Sequence, residues 1–451
     1  MMQVTPVSPA QAVRPDSELA FSPILIGEIE LSEALPTFSA FDEHGMQVYC
    51  SARCLVRLHT QPLGLVDLSF ENGELPPGNY LSSIWQHLGQ RINEHLQEDG
   101  LPAITQLSID GLSSPQTPKC LQEREAFLQR SPFVSVVLST RDRPERLARC
   151  LRALLAQQYP TYEVIVVDNA PTTPATAEFI QQTYSQEARI RYVREDRPGL
   201  SWGRNRGIME ARGEIVAFTD DDVVVDAHWL SELAMGFEAA ENVACVTSML
   251  LPLELQTQAQ LWLEEFGGFS KGFRRRIFDR KSGGEDIPLY PFTAGRFGTG
   301  GGMAFTAVFL REEGNFDPAL GNGTPSGAGE DLVAFFHVIA RGYRLVYTPG
   351  SLLYHEHHRD YAKLRRQLYC YGSSVTAYLT KIILNNPLLF FRIALLIPQG
   401  LFFILSAKSA KNQKKSTSFP AELNSLERQG MLHGPFLYLK GRWRMRSLRT
   451  R

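Results

Sequence analysis

Three features of the sequence predict an α/β protein: a mostly parallel, twisted sheet with helices on both faces, preceded by a small α+β domain. First, the apolar runs FVSVVLST (133–140), EVIVVDNA (163–170) and GEIVAFTDDD (213–222) alternate with amphipathic helical stretches. Strands that are apolar on both faces belong to a sheet covered by helices on both sides. Second, each run ends on polar residues, and ligands of such sheets bind beyond the carboxyl ends of the strands. Third, the chain before residue 115 has a strand and helix pattern of its own.

Taken in order, residues 1–19 have no apolar h-region and read as a disordered arm rather than a signal peptide. Residues 20–115 form the small domain. ILIGEIEL and MQVYCSARCLVRLH read as strands. SIWQHLGQRINEHL reads as a helix, with Ile84, Leu88, Ile92 and Leu96 at helical spacing. Cys50 and Cys54 fall on one face of the alternating strand, roughly 13 Å apart, too far for a disulfide or a shared metal. They read as small core hydrophobes. No motif in this domain carries chemistry, and its expected role is docking or acceptor binding. Residues 116–131 read as a linker. Residues 132–380 form the main domain, where PERLARCLRALLAQQY starts a helix at Pro144 and buries Leu147, Leu151, Leu154 and Leu155. Residues 381–451 are apolar, then basic.

The bulk numbers exclude some classes. With 43% apolar and 21% charged residues and a net charge of −2, the chain is no general nucleic-acid binder. Six scattered cysteines suit a reduced, cytoplasmic protein. Neither a GxGxxG nor a GxxxxGK[ST] follows a strand, which excludes hydride transfer and P-loop ATP hydrolysis.

The strand ends point to a ligand cleft at Ser139–Arg143, Asp168–Ala170 and Asp220–Asp222. Two carboxylates about 4 Å apart repel by about 1 kcal/mol in water and about 4 kcal/mol near a protein surface. A bound divalent cation turns that repulsion into attraction, because hard cations take oxygen ligands. Asp168 is positioned to accept from a base N–H or a ribose hydroxyl, or else to cap a helix. Arg204, Asn205 and Arg206 are expected to open a helix, where cations and helix N-terminal amides suit a diphosphate.

The order SVVLSTRDRPERL, EVIVVDNA, GRNRGIMEARGEIVAFTDDDV, GTGGGMAF, GED and LVYTPGSLLYHEHH resembles the family 2 glycosyltransferases of GT-A fold, over roughly residues 133–378. The resemblance implies a DxD motif, with Asp220 facing ribose or metal and Asp222 ligating Mn2+ or Mg2+ on the donor diphosphate. It implies that Ser139, Thr140, Arg141, Asp168, Arg204, Asn205, Asp220 and Asp221 border the nucleotide. It offers His355 as a further metal or diphosphate ligand, Asp331 as the general base of an inverting transfer and Glu330 as an orienting group. A carboxylate in a helix's first turn is favoured by the macrodipole, which suits Asp331 to accepting a proton. Gly300, Gly301 and Gly302 would border the donor sugar and acceptor. The family's Asn in this loop, and its Arg after the Ala-Phe pair, are absent here. His357 and His358 are expected at the surface or on the acceptor side. Arg359, Lys363, Arg365 and Arg366 form a basic stretch that suits phosphate, anionic lipid or solvent.

The segment 387–405 is 19 residues long, nominally enough to span a bilayer. However, Asn385, Arg392, Gln399 and Ser406 recur every seven residues as one polar stripe, which suits a helix lying in the membrane interface. Lys408, Lys411, Lys414 and Lys415 follow, as expected near anionic headgroups. The expected protein is therefore a nucleotide-sugar-dependent, metal-dependent glycosyltransferase at the cytoplasmic face of a membrane. It would touch the membrane through 383–415 and act on a glycan or lipid-linked acceptor in cell-surface polysaccharide synthesis. Without a QxxRW motif or several spans, single additions fit better than processive synthesis. The rivals are a sugar nucleotidyltransferase and a non-catalytic glycan-binding scaffold.

Overall fold

The structure, a computed structural model, describes residues 21–449 except 43, 72, 282–286, 410 and 414. The expected N-terminal arm and Lys414 lie outside the described residues.

The small domain pairs β1 (Ile24–Glu30) parallel to β3 (Ser51–Leu58), and β3 antiparallel to β4 (Gln61–Ser69). The short β2 (Phe38–Ser39) pairs with β5 (Glu74–Leu75). Helix α1 (Pro77–Glu98) buries Tyr80, Ile84, Ile92 and Leu96 against this sheet, as its spacing requires. Cys54 is buried, but Cys50 is exposed, because the ladder begins only at Ser51 and Cys50 precedes the covered face. The segment read as a linker holds α2 (Lys119–Leu128), which buries Arg124 and Phe127 against the main domain.

The main sheet runs in the order β10-β14-β11-β13-β9-β6-β7-β8, with β12 beside β14. Its strands are β6 (Val134–Thr140), β7 (Tyr162–Asn169), β8 (Ile190–Glu195), β9 (Ile215–Asp220), β10 (Val223–Val225), β11 (Val243–Pro252), β12 (Arg276–Phe278), β13 (Gly302–Thr306) and β14 (Arg344–His355). Strands β9, β6, β7 and β8 are mutually parallel, and β13 runs antiparallel to β9 and β11. Helices α3 (Pro144–Leu155), α4 (Ala175–Tyr184) and α6 (Trp229–Met235) accompany one buried core. Helices α5 (Leu200–Glu210), α7 (Gln258–Phe266), α8 (Ala307–Glu313) and α9 (Glu330–Arg341) complete the domain. The expected α/β class, with its smaller preceding domain, is what the chain adopts.

Three long helices follow: α10 (Tyr361–Asn385), α11 (Leu389–Leu405) and α12 (Ala421–Arg449). Helix α10 runs unbroken through residue 380, the expected domain boundary. At 17 residues, α11 is about 26 Å long. No helix among the described residues is long and apolar enough to cross a membrane. Helix α11 packs Leu389, Ile393 and Leu396 on the main core and turns Phe390, Phe391, Leu395, Phe402 and Leu405 to solvent. Lys411 is drawn inward to Glu427, and Lys415 bonds Asn424 over the Phe266 ring, so neither is presented to headgroups.

Candidate active site

Parallel pairing brings three strand ends level. Ser139 of β6 stands beside Asp220 of β9, and Thr140 stands beside Asp168 of β7. The antiparallel pairing of β10 with β14 sets His355 opposite Val223, so its Nε2 comes within 3.6 Å of Asp222 Oδ1. Five separate elements therefore line one cleft at the carboxyl edge of the sheet.

The acidic triplet divides its work. Asp221 is buried and accepts from Thr140 Oγ1 at 2.7 Å, with Arg143 Nη1 at 3.3 Å. Asp222 has Arg146 Nη1 at 3.6 Å and Arg143 at 3.9 Å. Asp220 faces the other way, toward Arg204 at 3.4 Å. Burial pushes the Asp220 carboxyl up to about 6, Arg204 pulls it down, and Asp222 and Asp221 push it up again. Burial also raises Asp221, aided by the Asp222 carboxylate, and raises Asp222 against the pull of Arg146, Arg143 and His358. His355 is held down to about 3 by burial and by the nearby His357, His358 and Arg146, so it is a neutral imidazole with a free lone pair at pH 7. The Asp222 carboxylate beside the neutral imidazole of His355 is a pair of donors that suits Mn2+ or Mg2+, whereas Asp220, turned to Arg204, stands apart from it.

Arg204 joins the triplet to the first turn of α9. It is 2% exposed and donates to Glu330 Oε1 at 2.7 Å and to the Gly300 carbonyl at 2.9 Å. Burial raises the Glu330 carboxyl to about 7 against the pull of Arg204, and Asp331 adds to the rise. Asp331 accepts from Gly300 N at 3.0 Å and from its neighbour Leu332 N at 2.9 Å. A Cβ at Gly300 would lie 3.1 Å from both Arg204 Nη1 and Asp331 Oδ2, and one at Gly301 would lie 3.1 Å from Asp220 Oδ2. Gly302 belongs to β13, where Leu353 and Leu250 crowd it.

The expected residues are not all free to meet a ligand there. Helix α5 starts at Leu200, so Arg204 and Asn205 lie in its second turn and offer no helix-terminal amides. Both ends of the Asn205 amide are taken by the Phe316 backbone at 2.9 Å. Arg206 pairs with Glu210 along the helix. Ser139 Oγ lies beneath Gly203 of α5 with no partner among the described residues. Arg141 is exposed and lies 3.8 Å from Asp142. Asp168 is fully buried. Its Oδ2 accepts from Tyr192 at 3.0 Å, and its Oδ1 has no partner among the described residues. His357, expected at the surface, is buried and bridges His355 at 2.9 Å to Glu264 at 2.8 Å. In the basic stretch, Arg359 pairs with Glu254 and Arg365 with Glu422.

Arg146 and the relay through His357 were not singled out by sequence reasoning, and Arg143 was named only as the end of the span Ser139–Arg143. The signal for the two arginines lay in RDRPERL: a strand end followed at once by cations in the first turn of a helix, beside a second, acidic strand end. Glu356, which holds Arg146 at 2.7 Å and also binds Arg149, had no such signal.

Comparison with known proteins bears on this cleft. Residues 135–297 match the family model of Glycosyl transferase family 2. The uncharacterized protein y4gI of Sinorhizobium fredii is 29% identical over 231 residues, which cover 51% of this chain and 25% of that protein. The O-antigen biosynthesis protein RfbC of Myxococcus xanthus is 31% identical over 29% of this chain and 10% of its own length. The glycosyltransferase AglE of Haloferax volcanii is 36% identical over 22% of this chain and 33% of its own length. The chain thus spans a third or less of each of these relatives. Among solved structures, the mannosyltransferase PcManGT of Pyrobaculum calidifontis, in complex with GDP-Man and Mn2+, is 16% identical with a TM-score of 0.41, over 73% of this chain and 84% of that one. The cleft lies in and around the matched segment, which is similar to the family 2 glycosyltransferases.

Proposed function

We propose that the protein is a metal-dependent, inverting glycosyltransferase. It would move a sugar from a nucleotide-diphosphate donor to a glycan or lipid-linked acceptor in cell-surface polysaccharide synthesis. The observation that carries this reading is the convergence of Asp168, Asp220, Asp222, His355 and the Glu330–Asp331 pair on one cleft. The names of relatives concerned with O-antigen and colanic acid synthesis support the polysaccharide setting.

In this reading the unpartnered Asp168 Oδ1 accepts a hydrogen bond from the nucleoside. Asp222 and His355 would hold Mn2+ or Mg2+, joined by Asp220 once it turns from Arg204, and the ion would neutralise charge on the diphosphate. Arg143, half exposed at the cleft mouth, turns from Asp221 to the phosphates. Asp331 takes the proton of the acceptor hydroxyl, oriented for this by the Gly300 and Leu332 amides. Arg204 keeps Glu330 and the Gly300 loop in place behind it.

A cavity of about 1310 Å³ favours a lipid-linked acceptor. It runs from Glu330 and Trp202 past His337 and Lys381 to Leu389 and Arg392 of α11. Its lining thus joins the first residues of the exposed apolar helix to Glu330. A nucleotidyltransferase would want a glycine-rich loop after β6, and Arg141–Pro144 contains none.

Calorimetric titration of a panel of nucleoside diphosphates and nucleotide-sugars, with and without Mn2+, tests the reading. Metal-dependent binding of one nucleotide by the wild type, lost in Asp222→Ala, is the expected result. A folded protein that binds none of them is a scaffold, not a transferase.

A further inference from the structure

The N-terminal domain holds a second cluster of reactive side chains, away from the cleft. The β3–β4 hairpin turns through only two residues, His59 and Thr60, because Leu58 pairs with Gln61. Both have left-handed backbones, with φ of 54° and 69°. Such turns favour Asn-Gly, and a β-branched residue there is strained. The turn drives His59, 4% exposed, into the seam between α1 and α2. His95 and Asp99 come from the end of α1, one helical turn apart, and Cys120 comes from the start of α2.

Four donor atoms meet there, all within 4.8 Å of one another. Asp99 Oδ2 lies 2.7 Å from His59 Nδ1, 3.1 Å from His95 Nε2 and 3.1 Å from Cys120 Sγ. The two imidazole nitrogens are 3.2 Å apart. Asp99 Oδ1 is already taken by the Cys120 amide at 2.9 Å. Protons alone satisfy this arrangement poorly. Three polar atoms crowd one oxygen, which has two lone pairs, and the two ring nitrogens, 3.2 Å apart, conflict unless one of them gives up its hydrogen. A cation at the centre removes the conflict, because each atom then offers it a lone pair.

We propose that His59, His95, Asp99 and Cys120 are the four ligands of a structural zinc ion. Two imidazoles, a carboxylate and a thiolate form a donor set for zinc, and four protein ligands leave no open position for catalysis. Binding displaces the Cys120 thiol proton, so affinity rises with pH. The ion would fasten the hairpin turn and α2 to α1. That seam also forms the joint with the main domain: Arg124 of α2 bonds Thr60 and reaches Glu232 of α6 at 3.1 Å, and Gln61 reaches the same Glu232 at 2.8 Å.

The test uses the full chain, purified without chelator from zinc-supplemented cells and assayed by elemental analysis. About one zinc per chain is expected, retained in Asp222→Ala, which alters only the cleft, and lost in Cys120→Ser and His95→Ala. Because those two variants can misfold, a second measurement uses the Asp222→Ala background with all four ligands intact. Chelation should lower its thermal midpoint, and zinc but not magnesium should restore it. Cobalt in place of zinc should give thiolate charge-transfer and tetrahedral ligand-field bands. Zinc-free protein whose midpoint ignores both chelator and zinc overturns the proposal. So does zinc held undiminished by folded Cys120→Ser and His95→Ala.

Discussion

Glu330 and Asp331 are adjacent in sequence but occupy different environments. Glu330 is buried against the guanidinium of Arg204, whereas Asp331 is half-buried and held by two backbone amides. Removing the charge of Glu330 leaves the buried Arg204 with only Asp220, at 3.4 Å, as a counter-charge, and a broken buried pair costs up to about 3 kcal/mol. Glu330→Gln should therefore lower the thermal midpoint. Asp331→Asn keeps one of the two amide contacts, because its Nδ2 cannot accept, and should lower the midpoint by less than Glu330→Gln while lowering kcat by about 10²–10⁴ with donor affinity retained. Steady-state kinetics and thermal melts of both variants check this. An active Asp331→Asn beside an inactive, stable Glu330→Gln would exchange the two roles.

At the scale of elements, the C-terminal helices divide into one that is clamped and one that is displayed. Helix α12 lies against α10 through glycines. A Cβ at Gly430 would fall 2.1 Å from the Tyr369 carbonyl, and one at Gly434 would fall 2.0 Å from Thr376 Oγ1. Side chains there cannot be accommodated without separating the helices, and overpacking costs about 1–3 kcal/mol or more. Gly430→Leu should therefore free α12, and limited proteolysis should then cut within 421–449 before the rest of the chain. Helix α11 instead exposes Phe390 at 55%, Leu395 at 82% and Phe402 at 59%. Exposed apolar faces of this kind mark interaction sites. Under the proposed membrane contact, Phe390→Ser/Leu395→Ser/Phe402→Ser should reduce co-sedimentation with anionic vesicles, and unchanged sedimentation would remove α11 from that role.

For the whole molecule, two half-buried histidines contribute to acid stability. His228 and His337 are both held down to about 4 from an ordinary 6.5. Burial is the main cause in each case, with Arg124 adding to it at His228 and Lys381 and Arg341 at His337. The unfolded chain takes up these protons first. The stabilisation is thus complete above about 6.5 and is lost as pH falls through 6.5 toward 4. Thermal melts across that window should fall less steeply for His228→Gln or His337→Gln than for wild type. Equal slopes would show that other groups govern acid unfolding. The joint between the two domains belongs to the same scale. Arg57 binds Asp226 at 2.7 Å, Tyr354 donates to Glu28 at 2.6 Å, and Ile24 bridges to Leu255, so the small domain is docked on the main one.

The sequence alone determined the class of fold, the apolar strands β6, β7 and β9, the cleft at their ends and the acidic triplet in it. Those features are written in local periods of two and 3.6 residues and in polar residues that interrupt them. Tertiary structure alone decided where individual side chains go. It turned Asn205 to the Phe316 backbone, drew Lys411 inward, buried His357 and left Cys50 in solvent. It set Arg143 and Arg146 beside carboxylates that lie far along the chain. It also gathered His59, His95, Asp99 and Cys120 from a hairpin turn and two helices. The physical reason is range: a strand or helix is selected by its nearest neighbours in sequence, whereas a side chain's partner is selected by the packing of elements that the chain brings together only when it folds.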